Sequence, residues 1–255
     1  MNILEQKIRL AMEKRRPALI PFLTAGFPDG GRFWSSLVEL DESGADIIEI
    51  GVPFSDPVAD GPVVEEASRR ALANGVTLRG LMKELSERKG LIGAGLVLMG
   101  YVNPFLRYGF EKLADDAAAA GVNGFIISDM PFEESAFLRG ILKKRDIALI
   151  PLVGPNTNEE RMWLYVAENE GYVYVVSVMG TTGKRGVLAS QVAATLRRAR
   201  SIFSLPLALG FGLYDPSQLK MLPDDAQPDA VVFGSALLTH LDSGGSAAEF
   251  LQRWR

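Results

Sequence analysis

Short apolar runs alternate with stretches of helical periodicity along the whole chain. Each run is four to nine residues long, is bounded by glycine, proline or polar residues, and carries few charges. Runs of this length and composition are typical of strands that are buried on both faces. Eight strands are predicted in this way, within residues 46–51 and over Ala18–Ala25, Gly93–Tyr101, Gly124–Ser128, Ile147–Val153, Tyr172–Val178, Leu205–Leu209 and Ala230–Phe233.

Helices are predicted between these strands and at both ends of the chain. The first is amphipathic, covers Asn2–Lys14, and places Leu4 and Ile8 on one face, before Pro17 ends it. The other predicted helices are Gly30–Ser43, Glu65–Ala73, Leu78–Arg88, Phe110–Ala120, Glu133–Lys144, Asn158–Asn169, Ser190–Ile202, Pro216–Leu222, Ala236–Leu241 and Ala247–Trp254.

Eight strand-helix units without a linker predict an α/β fold, a single (β/α)8 TIM barrel over residues 1–255 with an extra N-terminal helix. A barrel of this kind typically needs about 250 residues. The competing fold is a doubly wound parallel sheet. Its first strand-helix turn would fall at residues 25–28, which lack the dinucleotide-binding glycine pattern.

Composition narrows the chemistry that the chain can perform. The net charge is -4 and the basic residues are scattered, which argues against nucleic acid or an anionic membrane as a partner. There is no cysteine, so disulfides and thiolate chemistry are excluded, and a reducing, cytoplasmic location is expected. A single histidine, His240, and no carboxylate cluster with calcium-loop spacing predict that no metal is bound. Neither a signal peptide nor a membrane span is predicted.

Two carboxylates stand out at the second strand. Glu49 lies among isoleucines within the strand, and Asp60 lies in the long loop that follows. Burying a charged carboxylate is costly, so Glu49 is either part of a structural ion pair or a functional acid whose pKa is raised by desolvation. Active sites of barrels lie at the C-terminal ends of the strands, which favours the second interpretation.

Glycines cluster at the predicted ends of the last three strands. They occur in Gly180-Thr181-Thr182-Gly183, Gly210-Phe211-Gly212 and Gly234-Ser235. Glycines merely make tight turns in many loops, but in barrels the loops after strands seven and eight often bind phosphate, helped by a helix N-terminus. No lysine ends a strand; Lys184 lies in a loop, so Schiff-base chemistry is not expected. The chemistry that is still compatible with these residues is acid-base catalysis on a phosphorylated substrate.

The segment from Glu49 to Pro62 (EIGVPFSDPVADGP) resembles the signature of the tryptophan synthase alpha subunit family. Supporting segments run through the chain in the family's order. They are Phe22–Gly26, Leu98–Pro104, Gly124–Glu134, Gly180–Gly183, Gly210–Gly212 and Gly234–Ser235.

The resemblance implies a retro-aldol cleavage of indole-3-glycerol phosphate to indole and glyceraldehyde 3-phosphate, with no metal or organic cofactor. It implies that Glu49 exchanges protons with the substrate and that Asp60 accepts a hydrogen bond from the indole N–H. The residues implied to bind substrate are Phe22, Leu98, Tyr101, Tyr174, Thr182, Gly183, Phe211, Gly212, Gly234 and Ser235.

The resemblance also implies a partner. The family's alpha subunit works in an αββα complex and passes indole to a beta subunit that contains pyridoxal phosphate. Positions implied to lie at that interface are Pro53, Asp56, Asn103, Asp129 and Pro131. Val178 and Met179 replace the arginine or small hydroxyl residue of many relatives beside the closing loop, predicted over Gly180–Gly186.

Three alternatives remain at this point. The chain could be a free-standing indole-3-glycerol phosphate lyase, which co-purification with a beta subunit would test. It could be a non-catalytic barrel that binds a phosphorylated indole and regulates a partner, although both acids are present. His240 could act as a base, but it falls in the helix after the eighth strand, where a surface role is expected.

Overall fold

A computed structural model describes residues 1–167, 170–176, 185–210 and 212–255, without the side chains of residues 185–188. Within these residues nine parallel strands form one sheet. The strands are β1 (Ala18–Thr24), β2 (Ile47–Gly51), β3 (Gly95–Gly100), β4 (Gly124–Ile127), β5 (Ala148–Leu149), β6 (Leu152–Val153), β7 (Val173–Val176), β8 (Leu207–Gly210) and β9 (Ala230–Phe233).

The sheet closes on itself through the two shortest strands. In the order β5-β4-β3-β2-β1-β9-β8-β7-β6, the two end strands are consecutive in the chain. The Ile150 N–H donates to Phe125 O at 2.9 Å, and the Tyr174 N–H donates to Pro151 O at 3.0 Å. The single strand predicted over Ile147–Val153 is therefore wrong in one detail. It divides at Ile150-Pro151, and its two halves pair with different neighbours to complete an eight-position (β/α)8 barrel.

Helices surround the barrel, and most begin and end close to their predicted limits. They are α1 (Ile3–Glu13), α2 (Gly30–Glu42), α3 (Pro62–Ala73), α4 (Leu78–Glu87), α5 (Val102–Tyr108), α6 (Phe110–Ala120), α7 (Ala136–Lys143), α8 (Glu159–Val166), α9 (Arg185–Ile202), α10 (Ser235–Asp242) and α11 (Ala247–Gln252). Short 3-10 helices cover Phe132–Ser135, Pro216–Met221 and Asp224–Ala226.

Three helical segments differ from the sequence predictions. α5 was not predicted, because Pro104 lies in its first turn and its N-terminal partner comes from a distant loop: the Asp129 carboxylate accepts the Val102 N–H at 2.7 Å. The predicted helix 216–222 is a 3-10 helix, and α9 begins five residues before its predicted start at Ser190.

Register decides which side chains reach the barrel interior. Phe22, Glu49 and Val97 are register partners on β1, β2 and β3, so their side chains share one face of the sheet. The next register partners are Leu23, Ile50 and Leu98, and their side chains lie on the opposite face of the sheet. Because Glu49 lines the interior cavity, the first set faces the interior and the second set faces the surrounding helices.

The N-terminal helix packs its apolar face against the N-terminal end of the barrel. Leu4 is fully buried there, against backbone that no side chain covers. A Cβ added to Gly95 or Gly124 would lie 2.7 or 2.8 Å from a Leu4 methyl, and one added to Gly171 would lie at 3.5 Å. These glycines thus form a socket for Leu4.

Truncating Leu4 tests this socket. We expect Leu4→Ala to lower the free energy of unfolding by about 2–5 kcal/mol, because the cavity left between rigid strands cannot collapse. Leu10 lies on the same helix but is 53% exposed, so Leu10→Ala should change stability by less than about 0.5 kcal/mol. Urea unfolding of both variants measures the difference, and equal effects would show that Leu4 does not fill a socket.

Candidate active site

A cavity of about 540 Å³ opens at the C-terminal ends of the strands. Its volume is in the range of pockets that enclose small organic ligands. One part is apolar and contains two acids, and the other is formed by glycines and a helix terminus. The lining residues at these two parts include Phe22, Glu49, Asp60, Val64, Met99, Tyr174, Gly212, Leu213, Val232, Gly234 and Ser235.

Glu49 is the buried acid of this cavity. Its side chain is completely inaccessible to solvent, and its Oε1 accepts a hydrogen bond from the Tyr172 hydroxyl at 2.7 Å. Among the described residues, its Oε2 has no hydrogen-bond partner. No salt bridge to Glu49 is found in the part of the chain that the structure describes, so the core ion pair considered from the sequence is not supported there.

Burial separates the proton affinities of the two acids. Desolvation raises the pKa of Glu49 to about 8, opposed by the hydrogen bond from Tyr172. Desolvation also raises the pKa of Asp60, to about 6, opposed by a hydrogen bond from Tyr101. Near pH 7, Glu49 therefore holds a proton most of the time and Asp60 is mostly ionised. Such a pair can exchange a proton at one acid and provide a fixed negative charge at the other.

The loop that carries Asp60 is held by Tyr101. The Tyr101 hydroxyl accepts the Ala59 N–H at 3.0 Å, and its ring lies 5.2 Å from that of Phe54. Tyr101 was predicted to line the pocket, but it is not among the residues that line the cavity. It packs against Phe54 and hydrogen-bonds to Ala59 and Asp60, and so positions this loop instead.

The other part of the cavity presents an uncapped helix N-terminus. α10 begins at Ser235, and its N-cap residue Gly234 makes no side-chain hydrogen bond to the first turn. α1, α2, α4, α8 and α11 each have such a cap. A Cβ at Gly234 would lie 2.9 Å from the Phe22 ring, so this close approach requires glycine. The N–H groups of the first turn of a helix have no partner within the helix, and together with the helix dipole they suit an anion such as phosphate.

The structure corrects one predicted residue of the apolar wall. Leu98 was expected to contact the substrate, but it faces the helices together with Ile50. Met99, its neighbour, pairs with Gly51 on the interior face and lines the cavity. Both faces of β3 are apolar, so the sequence carried no marker of which one points inward. Phe22 and Tyr174 line the cavity as predicted.

Three predicted substrate-binding residues, Thr182, Gly183 and Phe211, lie outside the described residues. Val178 and Met179 and most of the predicted closing loop lie outside them too. Gly212, Gly234 and Ser235 are described, and all three line the cavity.

The predicted interface residues lie in the loop after β2, in α5, which follows β3, and in the loop after β4. Asp56, Asn103, Asp129 and Pro131 are exposed, whereas Pro53 is buried and can only shape its loop. Asp129 already holds the N-terminus of α5 within the chain. The loop of Asp56 ends at Asp60, so one segment connects this surface to the cavity.

His240 is in the last turn of α10, where its Nε2 lies 3.1 Å from the Ser246 carbonyl oxygen. It lines the outer rim of the cavity, and this contact assigns it a structural role. In the described part of the chain, no three His, Cys, Asp or Glu side chains are grouped to hold a metal ion. No helix in that part is both long and apolar enough to cross a membrane.

Tyr172 was missed by the sequence reasoning, although a signal was present. It precedes β7, two residues before Tyr174, so the alternation of strand side chains places both phenols on the interior face. Tyr172 is fully buried, and its pKa is raised well above the ordinary value, chiefly by burial. Its hydroxyl therefore keeps its proton and donates it to Glu49 in a hydrogen bond.

Known proteins resemble this chain over its full length. Residues 8–253 match the family model described as "Tryptophan synthase alpha chain". A tryptophan synthase alpha chain of Desulfovibrio desulfuricans is 72% identical over 255 residues, which is 100% of both chains. One from Nitratidesulfovibrio vulgaris is 63% identical and covers 98% of this chain and 97% of that protein.

Solved structures agree with the sequence comparison. Tryptophan synthase subunit alpha from Legionella pneumophila superposes with a TM-score of 0.86 at 31% identity, covering 98% of this chain and 94% of the other. A chain of Mycobacterium tuberculosis tryptophan synthase gives 0.87 at 33% identity, covering 98% and 95%. On the family match and these identities, the chain belongs to the tryptophan synthase alpha chain family.

Proposed function

We propose that Glu49 and Asp60 carry out the family's reaction in this chain, the retro-aldol cleavage of indole-3-glycerol phosphate. The chain is a carbon-carbon lyase of that family. These roles rest on Glu49, a solvent-inaccessible carboxyl with one oxygen that no described residue pairs. Its cavity also contains an uncapped helix N-terminus.

The substrate would use both parts of the cavity. Its phosphate would bind at Gly212, Gly234 and Ser235, where backbone N–H groups at the start of α10 provide donors. Its indole ring would lie against Phe22 and Met99 in the apolar part. Binding at both ends fixes the bond between ring and glycerol chain near the acids.

Glu49 would supply the proton chemistry. It would protonate the indole carbon at the breaking bond and take the proton of the adjacent glycerol hydroxyl, which becomes the aldehyde. A carboxyl whose pKa is about 8 can both give and accept a proton near neutral pH. No cofactor is needed for this exchange, and pyridoxal phosphate would belong only to a beta subunit.

Asp60 would supply a negative charge that stabilises the intermediate. Protonation of the indole carbon leaves positive charge on the ring, and an ionised Asp60 accepting the indole N–H stabilises that intermediate. The pKa of about 6 leaves Asp60 ionised at neutral pH, and Tyr101 fixes its loop. The acids therefore have complementary roles.

Replacing Tyr172 tests how its hydroxyl affects the pKa of Glu49. Without the hydrogen bond that lowers its pKa, Glu49 in Tyr172→Phe should titrate higher than in the wild type, above about 8. The inflection that Glu49 causes in the pH profile of kcat/KM should move upward accordingly. Tyr165→Phe is the control, since Tyr165 is buried beside Phe132, outside this cavity. An unmoved inflection in Tyr172→Phe would contradict the proposed coupling.

We also propose a beta-subunit partner in an αββα complex, with the cytoplasm as location. The segments that follow β2, β3 and β4 would form the contact, through exposed residues such as Asp56, Asn103 and Pro131. The loop shared by Asp56 and Asp60 would couple assembly to catalysis.

An indole-release assay tests both proposals. The purified chain should release indole from indole-3-glycerol phosphate slowly alone and at least about tenfold faster with the beta subunit of the same organism, a usual allosteric coupling. Asn103→Arg should weaken the stimulation while the isolated chain stays within about twofold of wild type, since Asn103 is exposed outside the cavity. No indole in either condition would refute the function, and indole release without stimulation would refute only the partner.

A further inference from the structure

The apolar part of the cavity has a chemical capacity that does not depend on the phosphate site. Glu49 is a solvent-inaccessible carboxyl whose Oε1 accepts a hydrogen bond from Tyr172 and whose Oε2 is unpaired within the described part of the chain. Phe22, Val64, Met99 and Val232 contribute apolar surface to the cavity that Glu49 lines. A carboxylate removed from water is a stronger base than one in solution, because no hydration shell has to be displaced when it takes a proton.

We propose that this chain also catalyses the ring-opening elimination of planar bicyclic carbon acids, with 1,2-benzisoxazoles as the substrate class and Glu49 as the base. A benzisoxazole has the size and shape of the indole ring but no glycerol phosphate. The activity therefore lies beyond the proposed function, and it needs only the apolar part of the cavity.

The step is balanced without a co-reactant. The Glu49 carboxylate takes the proton from carbon 3 of the benzisoxazole. The electron pair of that C–H bond forms the third bond of a nitrile, the N–O bond breaks, and its electron pair goes to oxygen. The product is a 2-cyanophenolate, and Glu49 returns its proton to solvent when the product leaves. Oxidation at carbon is balanced by reduction at the cleaved N–O bond within the same molecule.

The two acids should affect this elimination in opposite ways. Glu49 must be ionised to act as base, so the rate should rise with pH and level off above about 8. Negative charge then develops on the leaving oxygen, and ionised Asp60 in the same cavity repels it. Tyr174 also lines the cavity, and burial raises its pKa, so its protonated hydroxyl remains a donor. Asp60 thus helps the cationic intermediate of the retro-aldol reaction and hinders the anionic product of the elimination.

The experiment uses the purified chain and 5-nitro-1,2-benzisoxazole, whose cyanophenolate product is followed by absorbance. We expect saturable turnover with kcat/KM at least about 100-fold above the second-order rate constant for acetate, as is usual for a positioned base. Indole should inhibit competitively. Glu49→Gln should lose the activity to the background rate, and its fold is checked by circular dichroism and by indole binding.

Asp60→Asn separates the two activities. It should raise the elimination rate about two- to fivefold while lowering indole release from indole-3-glycerol phosphate in the same preparation. A wild-type rate no greater than that of acetate, a Glu49→Gln variant that keeps its activity, or an Asp60→Asn variant that loses both reactions in parallel would each overturn the proposal. A chain that cleaves indole-3-glycerol phosphate but not benzisoxazole refutes this inference alone. A chain that converts benzisoxazole but does not cleave indole-3-glycerol phosphate refutes the proposed function.

Discussion

Glu49→Gln is expected to lower kcat for indole release by about 10³-fold, in line with the loss of a positioned acid-base group. The amide has the shape of the carboxyl and can still accept the Tyr172 hydrogen bond, but it can neither give nor take a proton. Binding depends on the apolar wall and on the start of α10, which the change does not touch. A non-cleavable substrate analogue should therefore bind within about threefold of wild type.

Steady-state kinetics and calorimetric titration of the analogue measure the two effects separately. Near-normal turnover in Glu49→Gln would show that another group moves the proton. A loss of analogue binding as large as the loss of turnover would show instead that the variant distorts the pocket. Asp60→Asn provides the comparison. It should lower the rate of the chemical step more than it weakens binding, since in the proposed mechanism the charge of Asp60 stabilises the intermediate.

The second large effect is on stability. The native state holds a proton on Glu49 up to pH about 8, whereas the unfolded chain loses it near pH 4.5. Between these values the native state binds more protons, so the free energy of unfolding falls as pH rises. Glu49→Gln removes this dependence. Between pH 6 and pH 9 we expect the free energy of unfolding of Glu49→Gln to increase by roughly 2–3 kcal/mol relative to that of wild type.

Urea unfolding at several pH values measures this gain. The interval starts at pH 6 because Asp60, whose pKa is about 6, contributes mainly below it. Asp60→Asn is the matched control, and its stability relative to wild type should change little above pH 7. A constant difference between Glu49→Gln and wild type across the interval would show that Glu49 is ionised in the native state throughout.

Much of the fold was predictable from sequence because strands and helices differ clearly in their hydrophobic period. The division of residues 147–153 into β5 and β6 was not, since an apolar run does not reveal with which strand each half pairs. α5 was missed because its N-terminal partner, Asp129, is 27 positions away in the chain. Long-range hydrogen bonds leave no local pattern.

The candidate site likewise contains residues that the sequence revealed and residues that it did not. Glu49 was predictable because a charge in a buried strand is conspicuous, and Asp60 because it lies in the loop that follows that strand. The glycines near α10 were predictable from their position at strand ends. Leu98 was predicted in place of Met99 because β3 is apolar on both faces. Only the register of β3 with Glu49 on β2 shows which of the two residues points inward. Tyr172 was overlooked because its importance lies in a contact with a residue 123 positions away.

The proposed reaction requires that burial keeps Glu49 protonated at neutral pH and so ready to exchange a proton with the substrate. The most direct test is a ¹³C NMR titration of the protein labelled at the glutamate side-chain carboxyl carbon, with the signal of Glu49 assigned by its absence in Glu49→Gln. The structure predicts a midpoint near pH 8 for that signal. A midpoint near the ordinary value of 4.5 would contradict the account.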